Sequence, residues 1–334
     1  MIFRSLPKTS ALLLFLACSI TVLGGWQKQE AKTFAWLHDV FFLNENKGWI
    51  AGSNGEFIQT ADGGRTWIRN KKFTEDTIQE VHFFDENNGW LLCDRDVFTL
   101  GSDTPSYLLV TADGGKSWKT VNFTGNERKR ITKIFFARSK LGLAIGESGA
   151  VFSVGDSETD WKRVPSPAQY LLNDGTFIDN FRGAIVGGGG TILFTEDAGV
   201  TWKPSVIAGN ENKKLNSIFF LNQNTGWAVG AEGSIFQTLN SGKIWRKQNA
   251  GSLSNLNDIH FVDSAHGWAI GDNGTILESE TAGNVWNQVK INTKNRLEKI
   301  LFVGNRGWIV GFGGTILFYE DENPRNSGEK LLTQ

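Results

Sequence analysis

The sequence predicts an all-β fold, a seven-bladed β-propeller closed by an N-terminal strand that completes the last blade. A glycine followed by an apolar residue recurs at Gly48-Trp49, Gly89-Trp90, Gly142-Leu143, Gly183-Ala184, Gly226-Trp227, Gly267-Trp268 and Gly307-Trp308, at spacings of 41, 53, 41, 43, 41 and 40 residues. That period fits a four-stranded sheet repeated as a propeller blade. A tryptophan stands 21 to 24 residues before each of these glycines, at Trp26, Trp67, Trp118, Trp161, Trp202, Trp245 and Trp286. Trp26 has no blade in front of it, and the last repeat ends at Thr315-Ile316-Leu317-Phe318-Tyr319 without its tryptophan. The strand at Trp26 is therefore expected to pair with the last blade and cover an edge that would otherwise be exposed.

Along the chain, residues 1–25 come first. Arg4 and Lys8 precede an uncharged run over residues 9–25 that includes Leu12-Leu13-Leu14-Phe15-Leu16. A charged start and an apolar middle read as an export leader, a lipid anchor attached at Cys18, or an uncleaved membrane anchor. Residues 26–320 form the propeller. In the cleanest unit, Asn257-Asp258-Ile259-His260-Phe261-Val262 alternates with period two, then Trp268-Ala269-Ile270, Thr275-Ile276-Leu277-Glu278 and Val285-Trp286-Asn287-Gln288-Val289 follow, separated by Gly, Asn and Asp. The 53-residue spacing places an insertion at residues 94–107, where Asp94, Asp96, Gly101, Asp103 and Pro105 break the pattern. Residues 321–334 read as a flexible tail. Two cysteines make no disulfide framework, and Cys93 reads as buried packing. A net charge of -1 predicts no bulk attraction to nucleic acid, and a monomeric body is expected.

The turn before each tryptophan carries a second pattern. Thr60-Ala61-Asp62-Gly63-Gly64-Arg65-Thr66-Trp67 and its counterparts ending at Trp118 and Trp202 read Ser/Thr-x-Asp-x-Gly-x-Ser/Thr-Trp, which resembles the Asp box of sialidases and sortilin-type receptors. Such a carboxylate accepts bonds from its own turn, so Asp62, Asp113 and Asp197 are expected to staple turns rather than to act as acids. Asn240 and Thr281 stand in their place in two later turns. A sialidase-like site would need an arginine triad and a tyrosine paired to an acid. Tyr107 is assigned to an irregular loop, Tyr170 to a connection and Tyr319 to the last strand, none with matching arginines. No catalytic residue and no cofactor is assigned. His38, His82 and His260 lie on or beside first strands, but His38 is out of step and the other two come from distant blades, so no metal is expected.

Asp258-Ile259-His260-Phe261-Val262-Asp263-Ser264-Ala265-His266-Gly267-Trp268-Ala269-Ile270-Gly271, followed by Gly274-Thr275-Ile276-Leu277-Glu278-Ser279, resembles the repeats of the photosystem II assembly and stability factor family, over residues 26–319. The resemblance implies a non-enzymatic seven-bladed propeller in the thylakoid lumen or outside the cytoplasmic membrane, often lipid-anchored, that binds newly made reaction-centre subunits. A general exported propeller for glycan or peptide ligands is the alternative, and an Asp-box glycosidase a more distant one. Family members also carry an arginine-rich patch. In this chain the connections between blades gather on one side, and three are basic. Arg128, Lys129, Arg130 and Lys133 lie in or after the second, Lys213 and Lys214 in the fourth, and Lys290, Lys294, Arg296 and Lys299 in or around the sixth, with few acids (Glu127, Glu211, Glu298). This rim is expected to dock acidic loops of a membrane-protein partner or anionic headgroups.

Overall fold

The computed structural model describes residues 25–30, 32–96, 104–123, 128–138, 141–155, 160–209 and 211–321. The leader with Cys18, Glu127, the middle of the 94–107 insertion and all but the first residue of the tail lie outside them. Among the described residues the strands form seven antiparallel blades, one per repeat. Inner strands are Leu37–Phe42, Thr77–Phe83, Ile131–Arg138, Leu172–Phe177, Leu215–Phe220, Leu256–Phe261 and Leu297–Val303. In blade 7, Gln27–Glu30 forms the outer strand, with Gln27 opposite Phe318 and Glu30 opposite Thr315. Blade 5 gains a short fifth strand, Val206–Ile207, parallel to Ile244–Gln248.

Packing explains the recurrent Gly-Trp pair. The last phenylalanine of each inner strand lies over the glycine that opens the second strand. A Cβ on Gly48 would sit 2.6 Å from the Phe42 ring, and one on Gly267 would sit 2.5 Å from Phe261. The following tryptophan points to the next blade and stacks on that blade's phenylalanine. Trp49 lies 4.0 Å from Phe83, Trp227 3.6 Å from Phe261, Trp268 4.5 Å from Phe302 and Trp308 3.8 Å from Phe42. The Asp-box tryptophan of the same blade meets the phenylalanine edge-on, as in Trp67 with Phe42, Trp245 with Phe220 and Trp286 with Phe261. Trp26 does this to Phe302 at 5.7 Å. It fills the place that the truncated last repeat leaves empty. Such aromatic pairs add roughly 1 kcal/mol each beyond the area they bury.

The Asp boxes are closed turns. Thr66 donates its backbone N–H to Asp62 Oδ1 at 2.9 Å and its hydroxyl to Oδ2 at 2.6 Å, while the Thr60 hydroxyl donates to Oδ1 at 2.8 Å. Asp113 and Asp197 repeat the arrangement. Bonds from Ser117 hold Asp113 down to about 2, and for Asp62 burial is the largest single influence and raises it, yet bonds from Thr66 and Thr60 together hold it at about 2 as well. Asn240 and Thr281 accept the same backbone bond, from Ile244 and Val285 at 2.9 Å, which is why the aspartate can drift. A second recurrent turn joins strands two and three, as at Ser53–Gly55 and Asp272–Gly274. Its final glycine has positive φ and presses on the connection that leads to the next blade. A Cβ on Gly55 would lie 1.9 Å from the Thr74 carbonyl oxygen.

Candidate docking face and axial ring

Strand direction sorts the loops into two faces. Inner strands begin where the connections from the previous blade arrive, and the strand-two to strand-three turns return to that same side. Gly55 N–H donates to Asp76 O, Glu147 N–H to Arg130 O, and Ala231 N–H to Lys214 O, so turn and connection are joined by hydrogen bonds on this connection face. The hairpins between strands one and two share the opposite face with the Asp boxes, as Gly63 N–H to Asn46 O and Ala198 N–H to Phe181 O show.

The connection face carries the cations singled out in the sequence, but the ends of strands and the turns between strands two and three bring acids to meet them. Arg130 lies 3.4 Å from Asp94, and Lys213 2.6 Å from Glu232. Arg296 lies 2.7 Å from Glu298 and 3.4 Å from Asp272. The expectation of few acids on this side is corrected accordingly, because it counted only the connections. Arg128, Lys214 and Lys294 are exposed, and Lys129 is partly so. Beside Arg296 the face turns aromatic. The Arg296 guanidinium lies 5.6 Å from the centre of the Trp36 ring, Phe312 meets Trp36 edge-on at 5.8 Å, and the Trp36 indole donates to Glu298 at 3.3 Å. Phe34, 94% exposed, Trp36 and Phe312 line an open cleft of about 690 Å³ with Glu56, Arg69 and Lys72 on its other flank. Nothing in the sequence pattern singled out this cleft, since its aromatics come from a connection and from a turn of the neighbouring blade.

Lys133 is not part of that rim. It follows Arg130 closely in sequence, but strand alternation turns it toward the axis, where it pairs with Glu80 and lies 3.9 Å from Asp174. Lys299 likewise lies 3.2 Å from Asp258. Aligning the seven inner strands puts Asp39, Glu80, Lys133, Asp174, Ser217, Asp258 and Lys299 at one equivalent position. The four carboxylates each accept the backbone N–H of the next blade's inner strand, from Val81, Ile134, Ile218 and Ile300, at 2.9 to 3.0 Å. Burial raises Asp39 and Glu80 above the usual carboxylate range, although Lys133 pulls both back down. Burial alone would lower Lys133, but Glu80, Asp174 and Asp39 together raise it and keep it charged. One residue earlier, at the bulge of the strand, Thr132, Asn173, Asn216 and Asn257 donate to the next blade's Leu172, Leu215, Leu256 and Leu297 carbonyls at 2.5 to 2.8 Å.

The remaining sequence candidates fall elsewhere. Tyr107 is in a strand, Ser106–Thr111, rather than a loop, and Asp94 pairs with Ser106, so the sheet extends into both ends of the insertion. Tyr107 donates its hydroxyl to Asp76 at 2.8 Å beneath the Arg95 guanidinium. Burial pushes this phenol well above its ordinary range, which is the wrong direction for a nucleophile. His82 packs against Phe41 at 4.7 Å and His260 against Phe219 at 4.7 Å. Burial, with nearby lysine charge, lowers them to about 4 and about 3. His38 stacks on Trp36 at 5.1 Å. Among the described residues no group of three or more His, Cys, Asp or Glu is placed to hold a metal ion, and no helix is long and apolar enough to cross a membrane. Cys93 is buried among strands.

The model of the family described as photosynthesis system II assembly factor YCF48 matches residues 19–103, 153–251 and 243–331. The chain belongs to this family. It is 24% identical over 188 residues to the photosystem II assembly protein Ycf48 of Synechococcus sp. (strain JA-3-3Ab), covering 55% of this chain and 53% of that one. It is 31% identical over 111 residues to the photosystem II assembly lipoprotein Ycf48 of Synechococcus sp. (strain CC9902), covering 32% of this chain and 33% of the relative. The chain thus spans about half the length, or less, of these curated relatives. A solved structure described as YCF48 bound to D1 peptide superposes with a TM-score of 0.72 at 22% identity, over 89% of this chain and 95% of that one, a likeness of fold.

Proposed function

We propose that this chain is an exported, non-enzymatic assembly factor, held at a membrane by its N-terminal leader, whose connection face captures an extended segment of a newly made photosystem II reaction-centre subunit. One observation carries the reading. The face on which the connections converge carries exposed cations, Arg128, Lys214 and Lys294, and, between blades 7 and 1, an open aromatic cleft at Phe34, Trp36 and Phe312. Lys129, Arg130, Lys213 and Arg296 supply positive charge that is already partly matched within the face or partly covered. A D1 peptide is what one related propeller is described as binding, and a lipoprotein is what another is named, which supports both the partner and the attachment at Cys18. Long-range attraction from such a rim speeds encounter with an acidic segment, while the cleft takes up an apolar side chain.

The test is binding of synthetic peptides covering the extramembrane segments of D1 to the full chain. Replacing Arg128, Lys214 and Lys294 together by Glu should weaken binding about tenfold at low salt and flatten its salt dependence. Unchanged affinity and salt slope in a variant of unchanged melting temperature would overturn the assignment of this face.

A further inference from the structure

Chain direction fixes which face the leader enters. Trp26 takes the place of an Asp-box tryptophan, so the outer strand Gln27–Glu30 starts at the Asp-box face and runs toward the connection face. The chain also leaves by the Asp-box face, where Asp321 N–H donates to Asn305 O in a hairpin. The uncharged run of the leader ends at Gly25, directly before that strand, so no linker separates the two.

The Asp-box face is uneven. In blades 4 to 6, leading round to the blade where the leader enters, Phe181, Val200, Leu239 and Val285 are 58%, 66%, 63% and 53% exposed. The positions equivalent to Phe181 in blades 1 and 2 are Asn46 and Asn87, and those equivalent to Val200 are Arg65 and Lys116. Polar bonds tie several charged groups among the apolar residues, while Glu280 is exposed. Glu196 lies 2.7 Å from Lys243, Asp179 2.7 Å from Arg182, and Asp263 2.7 Å from His266. Where charges are paired, as in Glu196 with Lys243, an apolar arc loses little on contact with lipid headgroups, and it gains by burying its side chains.

We propose that this arc of blades 4 to 6 rests on the lipid bilayer, with Phe181, Val200, Leu239 and Val285 at the headgroup boundary, so that the connection face is presented away from the membrane. This rests on the reading that the leader holds the chain at a membrane, and the experiment separates the two. The full chain is incorporated into phosphatidylcholine and phosphatidylglycerol vesicles doped with a lipid carrying a photoactivatable diazirine, floated on a gradient, irradiated and mapped by mass spectrometry. Adducts are expected on segments 178–201, 238–244 and 281–286 and not on 31–36 or 249–255, which carry the equally exposed Phe34 and Leu253. Val200→Glu with Leu239→Glu should still float and should lose most of the adducts on the arc. Flotation with adducts confined to the leader, or placed on the connections, would overturn the orientation. Failure to float would remove the membrane reading itself, and the orientation with it.

Discussion

Between blades 4 and 5, Ala184 occupies the place of a repeat tryptophan, and the seam is held by polar groups. Asp174 accepts Ile218 N–H and the Ser217 hydroxyl, both at 2.9 Å, while Asn173 donates to Leu215 O at 2.6 Å. Between blades 7 and 1 the position of the carboxylate holds Lys299, the position of the amide holds Glu298, and Trp308 stacks on Phe42 at 3.8 Å. A buried bond to a carboxylate contributes about 1.5 to 3 kcal/mol, and a buried tryptophan at least as much through the area it covers. The seam between blades 3 and 4 has neither, with Lys133 and Leu143 in the two places, and there Thr132 donates to Leu172 O at 2.5 Å. The contrast teaches that a seam can rest on stacking or on polar stapling, while others use both, as where Trp49 stacks on Phe83 and Asp39 accepts the Val81 N–H.

The contrast can be broken from either side. Deleting residues 1–30 removes Trp26 and the outer strand of blade 7 beside the aromatic seam, and should lower the melting temperature by about 12 °C, whereas deleting residues 1–24 should leave it unchanged. Equal melting temperatures for the two truncations in calorimetry would show that the N-terminal strand does not hold the ring closed. Trp308→Ala should cost about 4 kcal/mol in denaturant titration. Asp174→Ala should cost about 3 kcal/mol, because the Ile218 N–H loses its partner and Lys133 loses one of its carboxylates; a loss below that of Asn173→Ala, expected at about 1 kcal/mol, would place the strength of the seam in the amide instead.

The smallest effect is on pH. Burial raises Asp39 and Glu80, so in the folded ring they take up protons before the unfolded chain does. Their contribution therefore makes stability rise as pH falls from neutral toward the ordinary carboxylate range, near 4. The Asp boxes have the opposite sign, but with Asp62 and Asp113 held at about 2 their contribution is lost only as pH falls below the ordinary carboxylate range. Thermal melts from pH 7 to 5 should be flat or slightly rising, and Asp39→Asn should remove part of any rise. A steep fall over that interval would contradict the assignment.

The blades were legible because their glycines are imposed by contact. A phenylalanine covers each one, so the pair recurs wherever a blade does, and Trp26 stood out because its partner Phe302 lies at the far end of the chain. The docking face was only half legible. Arg128 and Lys214 lie in connections that topology gathers on one side, whereas Asp94 reaches the same side from the end of a second strand, and Glu232 and Asp272 from turns that were assigned to no face. Lys133 was misplaced because nearness to Arg130 in sequence outweighed the two-residue alternation that turns it inward. The aromatic cleft was illegible, since Trp36 and Phe312 are separated by almost the whole propeller in sequence and meet only when the circle is complete.

That circle has an order of events built into it. Gln27–Glu30 pairs with Thr315–Glu320, so the first strand of the ring to be made has no partner until the last one has followed it. Six blades can form as they are delivered, while the seventh waits with an open edge and with Phe302 lacking its edge-on tryptophan. Closure thus registers that the last strand has arrived, and a product that stops short of residue 315 keeps Gln27–Glu30 unpaired, which is the kind of edge that proteases and chaperones engage.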